Sequence, residues 1–102
     1  MTEPPAVVLT ISGSDSGGGA GLQADLRTFA ARGVHGVCAL TVVSAQNTQE
    51  FKSALAMPPE IVLAQIEAVL ADFSVRATKT GFLYTEGNIR AISTLAGEGR
   101  LP

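Results

Sequence analysis

A glycine-rich segment with a carboxylate near its centre is the part of the sequence best suited to chemistry. Residues 13–21 read G-S-D-S-G-G-G-A-G and lie between a run of β-branched residues and a stretch with helical periodicity. Glycines let a backbone approach a ligand closely, and a loop between a strand and a helix N-terminus can offer free N–H donors. The segment therefore predicts a ligand-binding loop.

Two nucleotide-binding patterns fit this segment poorly. A P-loop needs a lysine and a hydroxyl residue after its second glycine, but Gly19 and Ala20 occupy those positions. A dinucleotide pattern is formally present at residues 19–24. However, the next predicted strand ends in S-A-Q at residues 44–46, with no acidic residue to bind a ribose hydroxyl. We therefore expect the segment to contact a substrate rather than nucleotide phosphates.

The elements that would position this loop alternate between strands and helices. Apolar, β-branched runs predict buried strands at residues 6–12, 37–45 and 75–80, with a short edge strand or lid segment at 51–57. Apolar residues at helical spacing predict helices at residues 20–32, from Pro58 onwards and from about Glu86. Such alternation favours right-handed βαβ units on a parallel sheet.

The composition narrows the possible function classes. The chain is 46% hydrophobic with a net charge of −2, so it carries no excess of basic charge for nucleic acid. No apolar run approaches the roughly 20 residues that span a bilayer, so no membrane segment is expected. The single cysteine, Cys38, suits a reducing compartment, so we expect a cytoplasmic protein. The only histidine, His35, has no partner at ligand spacing, and no metal site is predicted.

Three sequence blocks resemble those of hydroxymethylpyrimidine/phosphomethylpyrimidine kinases, the ATP-dependent kinases of thiamine synthesis in the ribokinase-like superfamily. Residues 13–26, G-S-D-S-G-G-G-A-G-L-Q-A-D-L, are similar to the family's opening signature. Residues 41–48, T-V-V-S-A-Q-N-T, are similar to its T-x-[IVL]-T-A-Q-N-T block. Residues 79–83, K-T-G-F-L, are similar to its K-[IT]-G-M-L block. The blocks occur in the family's order and span most of the chain.

The resemblance implies a ribokinase-like three-layer α/β/α fold with a mainly parallel sheet. Residues 1–102 would be the N-terminal, substrate-binding part of a single kinase domain. The family's catalytic residues and its motifs for ATP and Mg²⁺ belong to the C-terminal half, and none of them occurs here. We therefore expect this chain alone to be inactive. We also expect it to form a homo-oligomer or to pair with a complementing C-terminal fragment.

The family's substrate is a 4-amino-2-methylpyrimidine with a hydroxymethyl group, and the resemblance implies which residues bind it. An aminopyrimidine presents a ring-nitrogen acceptor beside an amino donor, and a side-chain amide can pair with both. We expect Gln46 to play this role. Asp25 is expected near the polar groups of the substrate, although a solvent-facing helix carboxylate suits the sequence nearly as well. The other predicted substrate-binding residues are Gly13, Ala20, Ser44 and Phe82.

Several interpretations remain open at the level of sequence. Asp15 is expected to form a turn rather than to contact substrate, and Lys79 could approach a phosphate or cap a strand end. Phe82 and Ser44 replace the Met and Thr that the family commonly carries. A pyridoxal kinase would act on a similar hydroxymethyl-bearing ring, and a non-catalytic pyrimidine-binding module or an inactive fragment would carry the same motifs.

Overall fold

The computed structural model describes residues 3–102, which form one four-stranded sheet with helices on both faces. Its elements are β1 (Val7–Asp15), α1 (Gly21–Ala31), β2 (His35–Gln46), β3 (Phe51–Ala56), α2 (Pro59–Asp72), β4 (Val75–Thr80) and α3 (Glu86–Gly97). The strand order is β3-β2-β1-β4. β1 pairs in parallel with β2 and β4, and β3 pairs antiparallel with β2. The predicted three-layer α/β fold with a mainly parallel sheet is confirmed.

The two faces of β1 differ in polarity, because alternate residues of a strand point to opposite sides of the sheet. Leu9 and Ile11 are fully buried in an aliphatic core that α2 and α3 complete with Val62, Ile66, Ile92 and Leu95. Thr10 and Ser12 are also fully buried, and their hydroxyls face α1. The sheet is therefore apolar towards α2 and α3, and locally polar towards α1.

β1 is longer than the sequence predicts. The apolar run predicts a strand that ends at residue 12, but the strand continues to Asp15 beside β2. The register with β2 shifts between Ser12 and Ser14, where Gly13 alone lies opposite Thr41 and Val42, so the extra residue of this bulge belongs to β2. The prediction of a loop beginning at Gly13 is therefore wrong, because only residues 16–20 form the turn that leads to α1.

The remaining elements agree with the predicted pattern. Phe51–Ala56 is an edge strand, which is one of the two alternatives that the sequence predicts for residues 51–57, the other being a lid segment. α1 ends before Gly33, whose φ of 73° suits a glycine after a helix C-terminus. α2 begins at Pro59 with Glu60 in its first turn, where the missing proline N–H is harmless and a negative charge is favourable. Within residues 3–102, no helix is both long and apolar enough to cross a membrane.

Candidate functional site

A half-open cavity lies at the carboxyl ends of β1 and β2, the position where ligands bind in open α/β sheets. Its empty volume, with the open solvent at its mouth included, is about 320 Å³. It is lined by Gly13, Ser14, Asp15, Ala20, Gly21, Val42, Ser44, Gln46 and Phe82. The lining combines small residues, two apolar side chains and a few polar groups.

The floor of the cavity depends on the absence of two side chains. A Cβ on Gly13 would lie 2.6 Å from Cγ1 of Val42 and 3.8 Å from Cδ2 of Phe82. Gly21 has a φ of 63°, and a Cβ there would collide with the carbonyl oxygen of Gly13. Because L-residues rarely adopt that φ and neither site has room for a methyl group, both positions require glycine. Gly13 in β1 and Gly21 at the start of α1 therefore create the space together.

Asp15 organises the turn between β1 and α1. Its carboxylate accepts hydrogen bonds from the N–H of Gly17 at 2.8 Å and from the N–H of Gly19 at 2.9 Å. Its carbonyl accepts a third from the N–H of Gly18 at 2.9 Å. The expected turn role of Asp15 is confirmed. Since these donors are already paired and the carboxylate is negative, the turn is not a phosphate cradle.

Two serine hydroxyls order Gln46 at the end of β2. The hydroxyl of Ser16 accepts from the backbone N–H of Gln46 at 2.7 Å and donates to its carbonyl at 2.5 Å. The hydroxyl of Ser44 accepts from the side-chain Nε2 of Gln46 at 2.8 Å and donates to the carbonyl of Ser14 at 2.5 Å. Both the backbone and the amide of Gln46 are therefore held by the protein itself.

Phe82 forms an aromatic wall of the cavity and is 55% exposed. Its ring lies edge-on to Tyr84, with 5.3 Å between the ring centroids. Its carbonyl accepts a hydrogen bond of 2.7 Å from the hydroxyl of Thr41, a fully buried residue of β2. The position of the wall is thus fixed by the strand that carries Gln46. The sequence alone does not indicate this role of Thr41, although the residue opens the second family-like block.

Asp25 does not line the cavity. Its carboxylate accepts from Lys79 Nζ at 2.8 and 3.0 Å, from Thr10 Oγ1 at 2.7 Å and from Ser12 Oγ at 3.4 Å. Burial raises the pKa of Asp25, but the Lys79 ammonium and the two hydroxyls outweigh it and leave the pKa below its usual value. The sequence predicts Asp25 beside the substrate, whereas the structure places it between α1 and the sheet. A contact between Asp25 and the substrate stays a prediction. The amine of Lys79 is held in the ion pair with Asp25.

Asn88 is a structural residue of the site that sequence analysis missed. It is fully buried near the start of α3, and its Nδ2 donates to the carbonyls of Met57 and Leu83 at 3.3 Å and of Thr41 at 3.5 Å. These contacts join the loop after β4 to β2. The available signal was a polar residue one helical turn before Ile92, within the apolar stripe of α3.

The structure brings the other predicted substrate-binding residues together. Gly13, Ala20, Ser44, Gln46 and Phe82 all line the same cavity. Ser14, Gly21 and Val42 also line the cavity, although the sequence alone does not predict them as substrate-binding residues. Their contacts with a ligand stay predictions.

Comparison with known proteins bears on the family of this chain. The sequence profile of the phosphomethylpyrimidine kinase family matches residues 15–101. The chain belongs to this family of kinases. The hydroxymethylpyrimidine/phosphomethylpyrimidine kinase of Synechococcus elongatus is 53% identical over 91 residues, which cover 89% of this chain and 34% of that relative. The chain therefore spans about a third of the length of the curated relatives it matches.

Solved structures of a phosphomethylpyrimidine kinase and of a pyridoxal kinase share the fold of this chain. The phosphomethylpyrimidine kinase of Clostridium difficile superimposes with a TM-score of 0.86 at 41% identity, over 92% of this chain and 41% of that one. The ADP complex of Bacillus subtilis pyridoxal kinase also gives a TM-score of 0.86, at 36% identity, over 95% of this chain and 38% of that one. The chain thus forms part of a ribokinase-like kinase domain.

Proposed function

We propose that this chain provides the pyrimidine-binding part of a cytoplasmic, ATP-dependent kinase of thiamine biosynthesis. That kinase would phosphorylate 4-amino-5-hydroxymethyl-2-methylpyrimidine and its monophosphate. The observation that carries the proposal is the ordered amide of Gln46 in a small cavity at the carboxyl ends of the parallel strands. An amide oxygen and an N–H together complement an exocyclic amino group and the adjacent ring nitrogen.

The rest of the cavity suits a small, flat ring. Gly13 and Ala20 add no bulk, whereas Val42 and Phe82 offer apolar surface to the ring faces. A mostly apolar pocket with a few placed polar groups is typical of small-molecule sites. The polar edge of the ring would then meet Gln46, and the apolar remainder would meet the other walls.

The described residues do not fit the phosphates of ATP or a magnesium ion. The N–H groups of Gly17 and Gly19 are already paired with Asp15, whose charge would repel an anion. Residues 3–102 contain no group of three or more His, Cys, Asp or Glu side chains that could hold a metal. Phosphoryl transfer needs such groups. We therefore expect this chain alone to bind the pyrimidine weakly and not to phosphorylate it.

The outer edge of β4 supports the expected association with a second copy or a complementing C-terminal fragment. Among residues 3–102, β4 pairs only with β1, so its other edge has no strand beside it. An unpaired edge is a template for adding a strand. Sedimentation velocity should show self-association that grows with concentration. A monomer at every concentration, with or without the C-terminal fragment, contradicts this part of the proposal.

Calorimetric titration with the hydroxymethylpyrimidine tests the proposed site. Gln46→Leu should weaken binding by about tenfold or more, because a ligand donor and acceptor lose their partners. Gln49→Leu makes the same change at an exposed glutamine of the loop after β2, and its affinity should match that of the wild type. Equal affinity of Gln46→Leu and wild type removes the observation on which the proposal rests.

The pyridoxal alternative rests on the equal TM-score of the Bacillus subtilis pyridoxal kinase. Competition between the pyrimidine and pyridoxal for the cavity separates the two substrates. Tighter binding of pyridoxal would favour that alternative. An ATP turnover assay, with a fragment added that carries the C-terminal half of the kinase domain, then separates a kinase from a non-catalytic binding module.

A further inference from the structure

We propose that Ser44 fixes which end of the Gln46 amide is nitrogen and which is oxygen, and thereby selects ligands by the order of their donor and acceptor groups. The selected ligand would carry an exocyclic amino group facing Gln46 Oε1 and a ring-nitrogen acceptor facing the free N–H of Nε2. This inference deepens the proposed function and rests on pyrimidine binding in the same cavity.

The fixed orientation follows from a short chain of hydrogen bonds. The carbonyl of Ser14 can only accept, so the 2.5 Å contact commits the single hydroxyl proton of Ser44 to that carbonyl. The Ser44 oxygen can then only accept from its other neighbour. The amide atom of Gln46 that lies 2.8 Å away must therefore be the donor, Nε2. Shape alone would not decide this, because the two ends of an amide are nearly identical in size.

The opposite orientation of the amide is disfavoured by the same atoms. Turning the amide over would place Oε1 against the Ser44 oxygen, so that two acceptors would face each other. Ser44 is 5% exposed, which leaves little water to relieve that contact. An unpaired buried polar atom of this kind costs about a tenfold factor or more in an equilibrium constant.

The fixed amide leaves two groups for a ligand. One N–H of Nε2 is bonded to Ser44, so the second N–H remains, and Oε1 makes no hydrogen bond to residues 3–102. A 4-aminopyrimidine offers an amino donor beside an N3 acceptor, which matches this order. A 4-oxo analogue offers a carbonyl acceptor beside an N3–H donor, which is the reverse. To pair with the same amide, the oxo ring must turn over, which moves its 5-hydroxymethyl group to the opposite side.

Ser44 is a positioning residue, so its test needs a measurement that general destabilisation would not change. We suggest titrating 4-amino-5-hydroxymethyl-2-methylpyrimidine and its 4-oxo analogue into the wild type and three variants. Ser44→Ala removes the hydroxyl, and Ser44→Thr keeps it. Ser53→Ala makes the same Ser-to-Ala change at an exposed position of β3. The quantity compared is the ratio of the two affinities within each protein.

The wild type, Ser44→Thr and Ser53→Ala should each prefer the amino compound by about tenfold or more. In Ser44→Ala the amide can turn over, so the preference should fall to about twofold or less. A wild type without preference overturns the inference, and so does a Ser44→Ala variant that keeps the wild-type ratio.

A second measurement needs no ligand and separates the two proposals. In ¹⁵N-labelled protein, the side-chain NH₂ signals of Gln46, assigned by their loss in Gln46→Leu, report on the bond to Ser44. Their exchange with solvent should be slowed in the wild type and in Ser44→Thr, and fast in Ser44→Ala. If neither compound binds, the proposed function fails while this result still decides the role of Ser44. Equal exchange in the wild type and Ser44→Ala overturns the inference.

Discussion

Asp25 of α1 and Lys79 of β4 form an ion pair, with 2.8 Å between Oδ2 and Nζ, although 54 residues separate them in the chain. Thr10 of β1, the strand between them, donates to the same carboxylate oxygen at 2.7 Å. One carboxylate therefore ties a helix, the central strand and an edge strand together. Lys79 directly precedes the segment that leads to the aromatic wall, so this tie also supports the position of Phe82.

Asp25→Asn should lower the free energy of unfolding by about 1–3 kcal/mol, because it removes the charge that Lys79 and two buried hydroxyls contact. Lys79 is 49% exposed and can regain water, which favours the lower end of that range. Urea unfolding at pH 7 measures the change. Glu86→Gln is the matched control, since it breaks an exposed pair with Arg90 and should cost about 0–1 kcal/mol. Equal effects of the two variants contradict the structural role of Asp25.

Because of the Asp25 carboxylate, we expect part of the stability of the folded protein to be lost at acidic pH. The folded pKa of Asp25 is lowered, although burial alone would raise it, because Lys79 and the hydroxyls favour the charged form. Its stabilisation is therefore complete above the unfolded pKa, near the ordinary value of 3.8, and is lost as pH falls through the lowered pKa. Urea unfolding over this acidic range should show a steeper decline for the wild type than for Asp25→Asn. Parallel profiles would be the contrary result.

Gly13→Ala should close the floor of the cavity. The new methyl group would lie 2.6 Å from Cγ1 of Val42, so it must displace that side chain, which lines the cavity. Pyrimidine affinity should fall by about tenfold or more, measured by calorimetry. Gly97→Ala adds a methyl group at the end of α3 with no atom within 4 Å, and it should bind as the wild type does.

A compensating change makes the steric explanation testable. Val42→Ala removes the atom that the new methyl group would meet, so Gly13→Ala combined with Val42→Ala should recover part of the lost affinity. No recovery in the double variant would indicate that Gly13 acts through its backbone conformation instead.

Asn88→Ala should lower the free energy of unfolding by about 2–4 kcal/mol, because three carbonyls lose a shared donor and a buried side chain leaves a void. Chemical denaturation measures the change. Ser93→Ala alters an exposed position of the same helix and should stay within about 0.5 kcal/mol of the wild type. If both variants unfold at the same denaturant concentration, Asn88 does not hold the loop after β4.

Cys38 should react slowly with thiol reagents in the folded chain. Burial of this thiol in β2 raises its pKa above the ordinary value, which lowers the fraction of reactive thiolate at neutral pH. We expect iodoacetamide to modify Cys38 more slowly by about an order of magnitude in the native protein than in urea. Mass spectrometry follows the reaction, and Cys38→Ser supplies the background. Equal rates in the two states would show an accessible thiolate.

The sequence predicts the elements well because their signals are local. The β-branched runs, the glycine after α1 and the proline at the start of α2 each act within a few residues. The cavity lining also follows, since parallel strands bring Gly13, Ser44 and Gln46 to one edge of the sheet. The misplaced features depend on distant partners. The bulge opposite Gly13 involves Val42 of β2, and the carboxylate of Asp25 pairs with Lys79 of β4. Neither feature could therefore be located from the residues that lie next to it in the sequence.

The central place of β1 has a consequence for the order of folding. Val7 pairs with His35 on one side and with Val75 on the other, so the contact with β2 closes a much shorter loop than the contact with β4. We expect the β1–α1–β2 unit to form first and β4 to dock later. Gln46 would then be ordered before Phe82 arrives, and native-state hydrogen exchange should release the amides of β4 before those of β1. The binding cavity would be the last part of this segment to assemble and the first to open.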